Sequence, residues 1–75
     1  MVHNNLKEAR KKAKLTQAGV AKKANITTRV YQYYEAGKRT PHLYTAQLIA
    51  QALHTTVEEL FPLQASANAG EDNKN

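Results

Sequence analysis

The stretch Thr16–Arg39, TQAGVAKKANITTRVYQYYEAGKR, reads as two short helices joined by a tight polar corner. Thr16 offers an N-cap, and Val20, Ala21 and Ala24 lie at the i, i+1, i+4 positions that make one apolar stripe. Asn25 then stands where helices commonly end in a left-handed residue. Ile26 plugs the corner, and Thr27 caps a second helix that runs to Gly37, itself a good helix-ending residue. The corner has room for nothing longer.

The flanks predict three more helices and no strand pair. The first covers about Asn5 to Lys14, where Asn5 and Glu8 have capping-box spacing and Leu6, Ala9 and Ala13 fall on one side. After the Thr40-Pro41 break, Leu43, Ala46, Ile49, Ala50 and Leu53 recur at three- and four-residue spacing, marking a helix from about His42 to Leu53. Thr56 and Glu59 form a second capping box over Val57, Leu60 and Phe61, and Pro62 stops this short fifth helix. Residues 1–62 thus make one all-α, five-helix domain. From Leu63, the segment LQASANAGEDNKN carries little apolar area to offset ordering entropy, so 63–75 is expected to be a flexible polar tail.

With 75 residues and no cysteine, the domain must be held by helix packing alone, and a reducing compartment, the cytoplasm, is expected. No apolar run reaches the length of a membrane span, and the N-terminus MVHNNLKEARKK lacks the apolar core of a signal peptide. His3, His42 and His54 have no acid or cysteine partner at metal-ligand or triad spacing, and no glycine-rich phosphate loop is present. No enzyme, cofactor, metal site or small-molecule ligand is therefore expected.

The formal charge of +5 is divided unevenly. Residues 1–39 hold ten Lys/Arg against Glu8 and Glu35, a surplus of +8, whereas residues 40–75 hold Lys74 against Glu58, Glu59, Glu71 and Asp72, a balance of −3. The basic part is the part with the helix pair. A helix pair so joined is the unit that sets its second helix in the DNA major groove, and a one-sided positive field steers a protein to a polyanion. A solvated lysine face is the competing explanation of the charge alone.

From Leu6 to Phe61 the chain resembles the Cro and phage-repressor family of helix-turn-helix regulators, the xenobiotic-response-element (XRE) family, with its lambda-repressor-like five-helix domain. The resemblance is carried by Leu15-Thr16-Gln17, Ala21, Ile26-Thr27, Glu35, Gly37-Lys38-Arg39, Pro41, Ile49-Ala50, Leu53 and Glu59-Leu60-Phe61. It implies that Thr16, Gln17, Thr27, Thr28, Arg29, Gln32, Tyr33, Lys38, Arg39 and Thr40 face DNA. Gln17 matches a glutamine that reaches a phosphate and braces the recognition helix. Arg29 is the first candidate for base reading, its fork matching guanine O6 and N7, with a phosphate grip or an acid partner as alternatives. Thr28 would meet a base edge or a thymine methyl, Tyr33 a base or phosphate, and Gln32 an adenine or water. Lys38, Arg39 and Thr40, with their backbone amides, would position the DNA backbone.

Tyr31 and Tyr34 match aliphatic core positions and are expected to pack inward, while Tyr33 falls on the opposite face. Arg10 and Glu35 match a partly buried salt bridge, the alternative being two solvated charges. Gly19 departs from the family's usual glutamate and costs its helix about 1 kcal/mol. Ala46 and Gln47 are smaller or more polar than the family's leucines. The implied activity is transcriptional regulation, of repressor type, by a homodimer on a palindromic duplex operator. The apolar end around Leu53, Val57, Leu60 and Phe61, with the loop between the third and fourth helices, is the expected dimer surface, with core packing as the alternative for those residues. The competing function is a protein-interaction module, antitoxin-like or coactivator-like, with secondary DNA contact.

Overall fold

The computed structural model describes residues 4–62, and among them the chain forms five helices and no strand. They are α1 (Leu6–Lys12), α2 (Gln17–Lys23), α3 (Thr28–Glu35), α4 (Leu43–Ala52) and α5 (Val57–Leu60). The all-α, five-helix expectation holds; the tail from residue 63 lies outside the described residues. Three threonines start three helices. Oγ1 of Thr16, Thr27 and Thr56 accepts from the backbone N–H of Gly19, Val30 and Glu59 at 2.9, 3.1 and 3.2 Å, satisfying a donor that each first turn would leave orphaned.

The ends of α1 to α4 share one device. Each helix is followed by a residue at positive φ: Lys14 at 61°, Asn25 at 61°, Gly37 at 78° and His54 at 58°. At α3, Gly37 N donates to Tyr34 O and Lys38 N to Tyr33 O, and the same paired pattern closes α1, α2 and α4. These are Schellman motifs, and they turn the chain sharply while pairing carbonyls that the helix itself leaves free. Asn25 and Gly37 suit the left-handed region; Lys14 and His54 occupy it at a steric cost.

The core is built where the apolar stripes meet. α2 packs against both α3 and α4, burying Val20, Ala21 and Ala24 with Tyr31, Tyr34, Ala46, Ile49, Ala50 and Leu53, while Leu6, Leu60 and Phe61 close its lower side. Tyr31 and Ile49 are wholly buried, and burying a side chain of this size contributes about 1.5–3 kcal/mol. Ile26 plugs the α2–α3 corner against this core.

Three expectations are corrected. The Asn5–Glu8 capping box does not cap α1: Asn5 makes no side-chain cap, and its Nδ2 instead donates to Glu59 O at 2.8 Å while its backbone N–H donates to Leu60 O. Asn4 takes the local role, its Oδ1 accepting from Leu6 N and its Nδ2 donating to Tyr34 O. Leu43, assigned to the α4 stripe, is 65% exposed because it is the first residue of α4, at its far end from Ile49 and Leu53. Leu53, Leu60 and Phe61 are each buried to 5% exposure or less in the monomer's own core, so they are not free to form a dimer surface.

Candidate nucleic-acid interface

α3 has two faces with separate duties. Tyr31 and Tyr34 point inward, at 0% and 8% exposure, and hold the helix to α2 and the core. Arg29, Gln32 and Ala36 are exposed, and Thr28 and Tyr33 are half-buried, along the remaining surface. Residues at i, i+1, i+4, i+5 and i+8 make one stripe on a helix, so Thr28, Arg29, Gln32, Tyr33 and Ala36 share a side. Ala36 was not among the sequence candidates.

α3 is held from behind by a polar cluster on Glu35. Arg10 Nε donates to Glu35 Oε2 at 2.8 Å and Arg10 Nη2 to Oε1 at 3.3 Å, the tyrosine hydroxyl of Tyr31 donates to Oε2 at 2.9 Å, and Gln17 Nε2 donates to Oε1 at 2.8 Å. The Arg10 and Glu35 side chains are only 15% and 8% exposed, so the pair is not two solvated charges. Burial drives the Glu35 carboxyl upward, but the bonds from Arg10, Gln17 and Tyr31 and the arginine charge outweigh it and hold the pKa below the ordinary carboxylate value. Burial, then the neighbouring Glu35, pushes the Tyr31 hydroxyl well above the usual tyrosine range. The hydrogen bond to Glu35 likewise raises Arg10, which also donates through Nη1 to Leu15 O.

Gln17 joins the two helices of the pair at a second point. Gln32 Nε2 donates to Gln17 Oε1 at 3.2 Å, so the start of α2 is tied to the exposed stripe of α3 as well as to Glu35. Thr16 and Thr27 are exposed, and their Oγ1 atoms accept the cap bonds. A hydroxyl that accepts in this way retains its own proton to donate outward.

The loop after α3 is part of the same rigid piece. Lys38 N and Arg39 N both donate to Tyr33 O, at 2.9 and 3.4 Å. This corrects the expectation for those two amides, which are directed at Tyr33 O and not at a phosphate, and leaves it standing for the amide of Thr40; the side chains of Lys38, Arg39 and Thr40 are exposed. No resolved acid pairs with Arg29 among the ion pairs of the described residues. Those residues contain no group of three or more His, Asp or Glu placed to hold a metal, and no helix long and apolar enough to cross a membrane.

A family model described as helix-turn-helix matches residues 6–60. The chain is 35% identical over 72 residues to the uncharacterized HTH-type transcriptional regulator YqaE of Bacillus subtilis (strain 168), an alignment that covers 96% of this chain and 62% of that protein. The chain thus spans less than two thirds of the length of this curated relative.

Proposed function

The chain belongs to the helix-turn-helix family, of the Cro and phage-repressor type, and on that premise we propose that it is a sequence-specific DNA-binding transcriptional regulator that reads the major groove with α3. One observation carries the reading: Arg29, Gln32 and Tyr33 share an outward stripe on a helix whose opposite side is fixed by buried Tyr31 and Tyr34. A rigid helix with polar side chains free on one side matches what base-edge recognition requires. Arg29 reads guanine through its guanidinium fork, Thr28 and Tyr33 flank it, and Gln17 donates to a phosphate beside the start of α2. Thr16, Thr27, Lys38, Arg39 and Thr40 grip the backbone and set the register.

The regulator acts as a repressor of phage or mobile-element type, and binds a palindromic operator as a homodimer. One recognition helix spans only a few base pairs, so useful specificity needs two half-sites about 34 Å apart on one side of the duplex. With Leu53, Leu60 and Phe61 committed to the core, the apolar surface left for a second copy is at the start of α4. Leu43 and Tyr44 are 65% and 71% exposed there, and an open groove beside them, rimmed by Leu43, Gln47, Gln51 and half-buried Val57, has the edge of the core as its floor.

Arg29→Ala and Lys38→Ala test the assignment when titrated against a selected duplex and its single-base variants. Loss of Arg29 is expected to remove about 1–3 kcal/mol of discrimination at one base position, whereas loss of Lys38 weakens binding to every sequence alike. Equal loss at all positions in the Arg29 variant would rule out its role as a base reader.

A further inference from the structure

Three lysines are placed at a cost to the fold. Lys7 stands in the first turn of α1, where the positive end of the helix dipole disfavours a cation. Lys11 follows four residues later, the spacing at which like charges on a helix repel. Lys14 lies in the turn to α2 at φ 61°, a left-handed conformation that glycine adopts freely and lysine only against steric resistance. All three side chains are exposed, and among the described residues none has a carboxylate at ion-pair distance. Lys12 differs from them. It lines a hollow between α1 and α5 with Glu8, His54 and Glu59, so acidic groups answer its charge within the domain.

The row borders the anchor of α3. Lys7 lies one turn before Arg10 on α1, and Lys14 one turn after it. Arg10 donates to Glu35 at the end of α3 and, through Nη1, to Leu15 O, while Gln17 at the start of α2 donates to the same carboxylate. The lysines therefore run along α1 beside the group that fixes α3, and the last of them stands two residues before Thr16, the cap of α2.

We propose that Lys7, Lys11 and Lys14 form a phosphate-binding track that grips the backbone of duplex DNA beyond the base pairs covered by α3. This rests on the reading of α3 as the base-reading helix. Phosphates supply the opposite charge that the fold withholds from these lysines, and their counterions are released on contact. An ammonium is a point charge and phosphates are alike at every base pair, so the track lengthens the footprint and adds affinity without sequence preference.

The test uses a duplex with one half-site, alone or extended by about one helical turn of unrelated sequence on each side. At about 50 mM salt wild type is expected to bind the extended duplex about tenfold or more tightly, and Lys7→Gln/Lys11→Gln/Lys14→Gln to lose most of that gain. On the extended duplex its plot of log affinity against log salt should be shallower than that of wild type by about 2–3, with the ranking of single-base variants retained. Equal slopes for wild type and the triple variant would overturn the proposal. So would equal shifts in Lys11→Gln and Lys12→Gln, which would assign the effect to the general positive field.

Urea denaturation gives a readout without DNA. The triple variant is expected at or above the wild-type midpoint, since it sheds the repulsion within the row; a lower midpoint would make these lysines part of the fold and overturn the argument. The two readings fail separately. Base preference in wild type with equal slopes refutes the track alone, whereas a shallower slope in the triple variant with no base preference in wild type supports the track and refutes α3 as the reader.

Discussion

Glu35 closes α3, where the helix dipole disfavours a carboxylate, and it is stable there because three side chains donate to it. Its folded pKa lies below the unfolded value, so its contribution to stability is fully present above about pH 4.3 and is lost as pH falls through the folded value. Tyr31 has the opposite sign. Its raised pKa means a contribution fully present below about pH 10 and lost as pH rises further toward the folded value. Urea denaturation across pH should show both losses, with Glu35→Gln flattening the acid side and Tyr31→Phe the alkaline side. Unchanged profiles in the two variants would separate these groups from the pH dependence. Arg10→Ala should cost about 3 kcal/mol, because it leaves a nearly buried carboxylate without its cation; a loss below about 1 kcal/mol would mean a solvated pair. Family resemblance singled out Arg10 with Glu35. The bonds from Tyr31 and Gln32 were not legible, because a tyrosine at a core position gives no sign of where its hydroxyl ends, and Gln32 meets a residue 15 positions earlier.

Helix starts were more legible than helix ends. Thr16, Thr27 and Thr56 are N-cap residues by type and behave as such, because a short hydroxyl side chain reaches its own first turn wherever the chain leads. Asn5 is equally a cap by type, yet the approach of α5 draws its amide to Glu59 O, a contact 54 residues away that no local pattern encodes. Asn25 and Gly37 signalled left-handed turns; Lys14 gave no such sign, and His54 only a weak one, since histidine adopts that conformation more often than lysine but less readily than glycine. His54→Gly should therefore stabilise the domain by about 1 kcal/mol, and Gly37→Ala should destabilise it by about 1–2 kcal/mol, both readable as shifts in the urea midpoint. Equal midpoints for wild type and both variants would contradict the strain at these ends. Gly19 lies within α2, where an added methyl group would meet Thr16 Oγ1 at 3.2 Å. Thr16 is exposed and can yield by a few tenths of an ångström, so Gly19→Ala should raise stability by about 0.5–1 kcal/mol; a lower midpoint would show that the cap cannot move.

At the scale of the whole molecule, the proposed function assigns the basic helix pair to DNA and the exposed start of α4 to a second copy. If each subunit neutralises about 3–5 phosphates, a dimer should lose about 10³–10⁵ in affinity between 50 and 200 mM salt. Tyr44→Lys should weaken cooperative binding to a two-half-site duplex while leaving affinity for a single half-site unchanged. Equal affinities of wild type and this variant for the two-half-site duplex would place the dimer contact elsewhere. Selection of bound sites from a random duplex pool by the purified protein reads recognition, symmetry and spacing together. The expected product is a palindrome of two half-sites centred one helical turn apart, with guanine among its fixed bases; a pool that emerges with no enriched sequence would mean that α3 does not read bases.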